Sequence, residues 1–186
     1  MPAPRSEVSP ANLEIMVLLA QSAPPGDFVE IGVYAGGSAY HLYEVAQLQD
    51  RTLHLFDTFN GMPVYTEGLD VFRLGTFKPD RHTDIRLQAM MPRAKFYIGL
   101  YPETHPSDLP PVAFIHCDCD QYISYRSVID TMWPLVVPGG IMLFDDYPYL
   151  PGAKRAVEET FAQSELLKAG EHFYVQKSPI GDEAHV

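Results

Sequence analysis

A chain of 186 residues is the size of one domain and can bury a core of its own, so residues 1–186 are expected to fold as a single unit. Its 46% hydrophobic and 20% charged residues exclude a disordered chain, and its formal net charge of −11, with no basic run, excludes phosphate-driven nucleic-acid binding. Residues 1–9 carry one Arg and no apolar stretch, and no later window reaches the roughly 18 apolar residues of a membrane span, so a cytoplasmic protein without membrane contact is expected.

Ser9-Pro10 before 11–21 reads as an N-capped helix with Pro in its first turn, striped by Leu13, Met16, Val17 and Ala20 and stopped at Pro24-Pro25-Gly26. Apolar strands and helices then alternate. Strands are expected at 28–31, 53–56, 96–98, 112–117, 141–144 and 172–176, and helices at 38–49, 84–91, 124–135 and 153–164. Such alternation predicts an α/β, Rossmann-like, mostly parallel sheet with helices on both faces and its ligand site at the carboxyl ends of the strands. Residues 57–81, rich in Gly, Pro and aromatic side chains, form a connection long enough to be a lid or substrate-binding loop. Pro138-Gly139-Gly140 reads as a tight turn feeding the 141–144 strand, and the polar tail after Ser178 as a frayed end. The two cysteines, Cys117 and Cys119, are expected to be reduced thiols, because a disulfide between residues two apart on a strand would strain the backbone, and no further Cys completes a zinc site.

Phe28-Val29-Glu30-Ile31-Gly32-Val33-Tyr34-Ala35-Gly36-Gly37-Ser38 is an apolar strand running through a Gly-rich turn into a helix, a place where backbone approaches a ligand and free helix N–H groups favour an anion. It lacks the Gly-x-Gly-x-x-Gly spacing that seats a pyrophosphate, which disfavours NAD and FAD; a turn with no ligand is the alternative. Asp57, ending the next strand, can accept both hydroxyls of a ribose, or simply open the turn at Asn60-Gly61.

Asp118 and Asp120 end one apolar strand, and Asp145 and Asp146 end the next. If those strands are neighbours, Asp118, Asp145 and Asp146 meet at one sheet edge, where mutual repulsion calls for a cation, and oxygen donors suit magnesium or calcium. Capping or turn roles for each Asp are the alternative. A cation there would lower the pKa of a substrate hydroxyl and hold it toward an electrophilic methyl group. No Gly-x-Ser-x-Gly elbow exists to support acyl transfer instead.

From about Phe28 to Gln176 the sequence resembles the class I methyltransferases, specifically the macrocin O-methyltransferase family of bacterial natural-product enzymes. Phe56-Asp57-Thr58-Phe59-Asn60-Gly61-Met62-Pro63, Asp118-x-Asp120-x-Tyr122 and Asp145-Asp146-Tyr147 with Pro151-Gly152-Ala153-Lys154-Arg155-Ala156-Val157 carry the likeness. The resemblance implies S-adenosylmethionine as cofactor, Glu30, Gly32, Tyr34 and Ser38 around its methionine part, Asp57 on the ribose and Gly99 near the adenine. It further implies Mg2+ or another divalent cation on Asp118, Asp145 and Asp146, and a sugar or phenolic hydroxyl of a small molecule as acceptor. Catechol-type relatives place a base Lys where this chain has Gln121, so Asp120 is the candidate base, with capping of the following helix as its other role. Family members use extra N-terminal helices as lid and dimer contact. The stretch before the Gly-rich motif is short for that, which leaves the 62–78 loop as lid, Tyr65, Phe72, Phe77 and Tyr149 as aromatic walls, and a homodimer as an open assembly. A hydroxylase on a related scaffold and a cofactor-binding protein without catalysis are the competing readings, the first disfavoured by the lack of a two-His-one-carboxylate pattern.

Overall fold

The structure, a computed structural model, describes residues 3–179; of the tail expected to fray, 180–186 lie outside the described residues. Five strands run parallel, β1 (Asp27–Ile31), β2 (Leu53–Asp57), β3 (Lys95–Ile98), β4 (Val112–Cys117) and β5 (Val136–Phe144). Two more, β6 (Leu167–Ala169) and β7 (His172–Gln176), add antiparallel to β5, giving a seven-stranded sheet in the order β3-β2-β1-β4-β5-β7-β6. This is the expected Rossmann-like architecture. Its strand order reverses between β1 and β4, and a crevice opens at the carboxyl ends of strands at such a switch point.

Helix α1 (Pro10–Ser22) starts where Ser9 Oγ accepts from Asn12 N at 3.3 Å, and Pro10 loses nothing there because its missing N–H would have had no helical partner. With α2 (Gly37–Leu48) and α3 (Thr83–Met90) it covers one face, packing Met16, Leu42, Ala46 and Leu87 onto Phe28, Leu53, Leu55, Phe114 and Leu143. Helices α4 (Tyr122–Met132) and α5 (Pro151–Glu158) cover the other, setting Tyr125, Ile129, Ala153 and Val157 against Val29, Ile31, Phe56, Ile115 and Phe144. Neighbouring strand residues thus serve opposite cores, which is why the central strands read as unbroken apolar runs.

Two expectations are corrected and one strand is added. Pro138-Gly139-Gly140 is no turn before a strand; it lies inside β5 as a bulge. Val112 pairs with Val136 but Phe114 already pairs with Ile141, so the extra residues loop out, Gly139 takes φ +78°, and a Cβ on Gly140 would lie 2.7 Å from Val136 Cγ1. Helix α5 ends at Glu158 instead of near 164, because Phe161 turns in to pack on Trp133 and Phe144 at 5.2 and 6.0 Å between ring centroids. Strand β6, with two of its three residues exposed, has no apolar signal and was not expected.

Candidate active site

A cavity of about 490 Å3 occupies the crevice, and Gly32, Tyr34, Ser38, Asp57, Gly99, Asp118, Asp120, Asp145 and Asp146 all line it. Glu30 does not. Two residues upstream of the Gly-rich turn, it lies fully buried beside His116, its register partner on β4, and accepts from His116 Nδ1 at 2.8 Å. Expected around the methionine part of a cofactor, Glu30 is thus placed off the cavity wall, because strand parity aims it into the sheet face.

At the Gly-rich end, Gly32 takes φ +93° and lies against the Asp118 carbonyl, so β1 and β4 leave the sheet in contact. Helix α2 opens at Gly36 in the left-handed region without a side-chain cap, and its first residues, Gly37 and Ser38, face the cavity with their amides available. Asp57 does more than line the wall. Its Oδ2 accepts from Val33 N at 2.6 Å and Tyr34 N at 2.8 Å, and its Oδ1 from Phe59 N at 2.6 Å, so the carboxylate ties the turn after β1 to the end of β2. A carboxylate has about four acceptor sites, which leaves one for a ligand hydroxyl.

The acidic group is arranged differently from the expected set. Oxygens of Asp118, Asp120 and Asp146 lie within 4.8 Å of one another, while Asp145 Oδ1 turns to His116 Nε2 at 3.7 Å and His172 Nε2 at 3.5 Å. Asp145 and Asp146 are consecutive and leave the strand on opposite sides, so the imidazoles draw one down as the other joins the cluster. Asp120 adopts φ +57°, a costly conformation that its N–H, donated to Asp146 Oδ2 at 3.0 Å, helps to hold. Burial, then the charges of Asp145 and Asp146, keep the Asp118 carboxyl well above its usual range. Burial, then Asp146, pushes Asp120 up to about 8; burial, then Asp145, pushes Asp146 up to about 7. Burial acts the same way on Asp145, but His116 outweighs it and lowers that carboxyl; burial pulls the His116 imidazole down, but Asp145 and Glu30 outweigh it and raise it well above its ordinary value.

The 57–81 connection docks onto this cluster. Asp70, buried, accepts from Tyr122 N at 2.7 Å and Thr66 N at 2.6 Å, and so caps α4 from the loop; this overturns the capping role for Asp120. Gln121, at the position of the catechol-type base, spends its amide on the backbone of Val64 and belongs to the loop's anchorage. Phe72, Phe77 and Tyr149 line the cavity, whereas Tyr65 turns away under Arg73, whose guanidinium lies 4.4 Å from the ring centre. Residues Arg5, Ser6 and Ser9 also reach the wall. None of them belongs to a motif that points to a ligand, Ser9 being read only as a helix cap, and the packing of the N-terminal stretch brings them there.

Residues 29–147, from the Gly-rich strand through the acidic cluster, match the family described as a methyltransferase domain. The chain belongs to this family. The chain is 26% identical over 158 residues to demethyldecarbamoylnovobiocin O-methyltransferase of Streptomyces niveus, covering 76% of itself and 60% of that relative. To mycinamicin III 3''-O-methyltransferase of Micromonospora griseorubida it is 26% identical over 153 residues, covering 73% and 60%. It thus spans about 60% of the length of these curated relatives. In fold it matches the O-methyltransferase NovP with a TM-score of 0.79 at 24% identity, covering 93% of this chain and 82% of that one. The calicheamicin methyltransferase CalS11 gives a TM-score of 0.77 at 20% identity, with 88% and 76% covered. The resemblance to O-methyltransferases of natural-product pathways, expected from the motifs, holds. Among the described residues no helix is long and apolar enough to cross a membrane.

Proposed function

We propose that residues 1–186 act in the cytoplasm as one S-adenosylmethionine-dependent O-methyltransferase domain, methylating a hydroxyl of a small molecule, a sugar or a phenol, with help from a divalent cation such as Mg2+. The observation that carries the reading is a single cavity with an uncapped helix start and a ribose-capable carboxylate at one end and an acidic cluster at the other. The names of the relatives, each an O-methyltransferase, support the reaction class.

The residues fit both groups. The amides of Gly37 and Ser38 suit the carboxylate of an amino-acid moiety, and the free acceptor site of Asp57 suits a ribose hydroxyl. Asp118, Asp120 and Asp146 offer hard oxygen donors close enough to share one cation, with Asp145 beside them. When bound, the sulfonium supplies an electrophilic methyl and the cation makes the acceptor hydroxyl more acidic. Asp120, at the cavity wall, would take the proton of the acceptor hydroxyl. Phe72, Phe77 and Tyr149 give the acceptor ring apolar walls and exclude water.

Calorimetric titration of the full chain with S-adenosylmethionine and S-adenosylhomocysteine, with and without MgCl2, tests the cofactor. Binding is expected, and a 2′-deoxyribose analogue is expected to bind more weakly. Varying the ligand is cleaner than Asp57→Ala, which would also strip three backbone amides of their acceptor. No binding removes the reading, and binding without methylation of any sugar or phenol in a broad panel would favour a non-catalytic cofactor-binding protein.

The carboxyl shifts set a pH dependence. Unfolded carboxyls titrate near about 4, whereas Asp146 and Asp120 in the fold titrate at about 7 and about 8, so between those limits the folded chain holds more protons than the unfolded one. Stability of the cation-free protein is therefore expected to fall as pH rises through this window and to level above it. Cation affinity moves the other way, rising toward pH 8 by up to about tenfold per unit for each proton displaced. Melting curves at pH 5.5 to 8.5 with and without MgCl2 check it; a stabilisation by MgCl2 independent of pH would contradict it.

A further inference from the structure

Below the cavity four polar side chains form a chain of their own. Glu30 comes from β1, His116 from β4, His172 from β7 and Asp145 from just past β5. Glu30 and His116 are fully buried, His172 is 1% exposed, and none of the three reaches the cavity wall. Glu30 Oε1 holds His116 Nδ1 at 2.8 Å, which fixes the ring and aims Nε2 at Asp145 Oδ1, 3.7 Å away. From the other side His172 Nε2 faces the same oxygen at 3.5 Å. Asp145 Oδ1, His116 Nε2 and both His172 nitrogens are buried without a hydrogen-bond partner, so the contacts at 3.7 and 3.5 Å are ion-pair approaches.

Buried polar atoms without partners need a reason, and here two of them, His116 Nε2 and His172 Nε2, converge on one carboxylate oxygen. Asp145 is the only member of the chain that touches the cavity. With Oδ1 buried and the side chain 22% exposed, its Oδ2 is the oxygen left on the cavity side. Without the histidines the Asp145 side chain would have no partner on its buried oxygen to fix its orientation. A carboxylate that serves a cation is held by partners on its far oxygen, and losing such partners typically weakens metal binding.

We propose that His116 and His172 are positioning residues that clamp Oδ1 of Asp145 from below, with Glu30 backing His116, so that Oδ2 is presented to a divalent cation shared with Asp118, Asp120 and Asp146. The clamp rests on the divalent-cation reading above. Sequence spacing hides it, because its members lie 86 residues apart for Glu30 and His116 and meet only through strand register.

The test is Mn2+ binding to the full chain, read by the electron paramagnetic resonance of free Mn2+ in the presence of S-adenosylhomocysteine and without acceptor. His172→Phe, which fills the site without a donor, is expected to bind Mn2+ about tenfold more weakly or worse, while His172→Gln, whose amide nitrogen reaches the Nε2 position, stays within about threefold of wild type. S-adenosylhomocysteine affinity and melting temperature should stay near wild type in both, and the kcat lost by His172→Phe should return at high Mn2+ with KM for the acceptor unchanged. If the Phe variant does not fold, His172→Ala replaces it with the same expectation. A folded Phe or Ala variant that binds Mn2+ as wild type does overturns the clamp, as does a loss that tracks melting temperature and is not rescued by Gln. Wild type that binds no Mn2+ removes the cation reading itself, and the clamp with it.

Discussion

Asp120→Asn is expected to lower kcat for methyl transfer by a factor on the order of 10²–10⁴ while leaving S-adenosylmethionine affinity unchanged, because it removes the proton acceptor, together with one charge of the acidic cluster, and leaves the cofactor end of the cavity untouched. Asn is the informative replacement. Asp120 sits at φ +57°, a conformation Asn tolerates better than most residues, so the backbone that carries Asp120 N to Asp146 Oδ2 can stay in place. The amide is close in size to the carboxyl but has no useful basicity, whereas the native carboxyl, pushed up to about 8, holds a proton well near neutral pH. Steady-state kinetics on an acceptor that the wild type methylates, with calorimetry for the cofactor, would measure it. A variant within a few-fold of wild-type kcat would exclude Asp120 as the base, and a collapse of cofactor binding would point to a structural role.

Gly32→Ala is expected to have the largest effect on stability. A Cβ at this position would lie 1.6 Å from the Asp118 carbonyl oxygen and 2.6 Å from its carbon, both backbone atoms with no freedom to rotate away. Residue 32 is also committed to φ +93° by the bond from its N–H to Phe56 O at 3.0 Å, and Asp118 N in turn donates to Ile31 O at 2.9 Å. The ends of β2, β1 and β4 are therefore laced together at this point, and a methyl group can enter only by parting β1 from β4. A cost on the order of 3–5 kcal/mol is expected, the upper range for a single substitution, with melting lowered by roughly 10 °C or more. Because the same separation would carry Asp118 away from Asp120 and Asp146, Mn2+ binding should fall with stability. A melting temperature within a couple of degrees of wild type would show that the strand ends yield more easily than their hydrogen bonds imply.

The order and kind of most elements were legible in the sequence because they depend on local patterns: apolar runs for strands buried on both faces, a Ser-Pro start for α1, glycines at the strand-to-helix turn. The same locality explains why Asp57 and the aspartates ending two strands could be placed at one sheet edge from the sequence, since in a parallel sheet the strand ends share an edge, while Gly32, Tyr34, Ser38 and Gly99 came with the family resemblance; all line one cavity. The sequence by itself thus determined the fold class and which strand ends form the site.

Only tertiary structure decided where each side chain turns. Glu30 belongs to the Gly-rich motif by spacing, yet strand parity pairs it with His116 and removes it from the cavity. Asp145 and Asp146 are neighbours in sequence but part company because two histidines, one of them on an antiparallel strand, attract one of them. The Asp70 and Gln121 contacts that dock the long loop, and the N-terminal residues that close the wall, join segments tens of residues apart whose local sequence carries no signature of a partner. Such contacts are selected by register and packing across the whole sheet, and no short-range pattern encodes them.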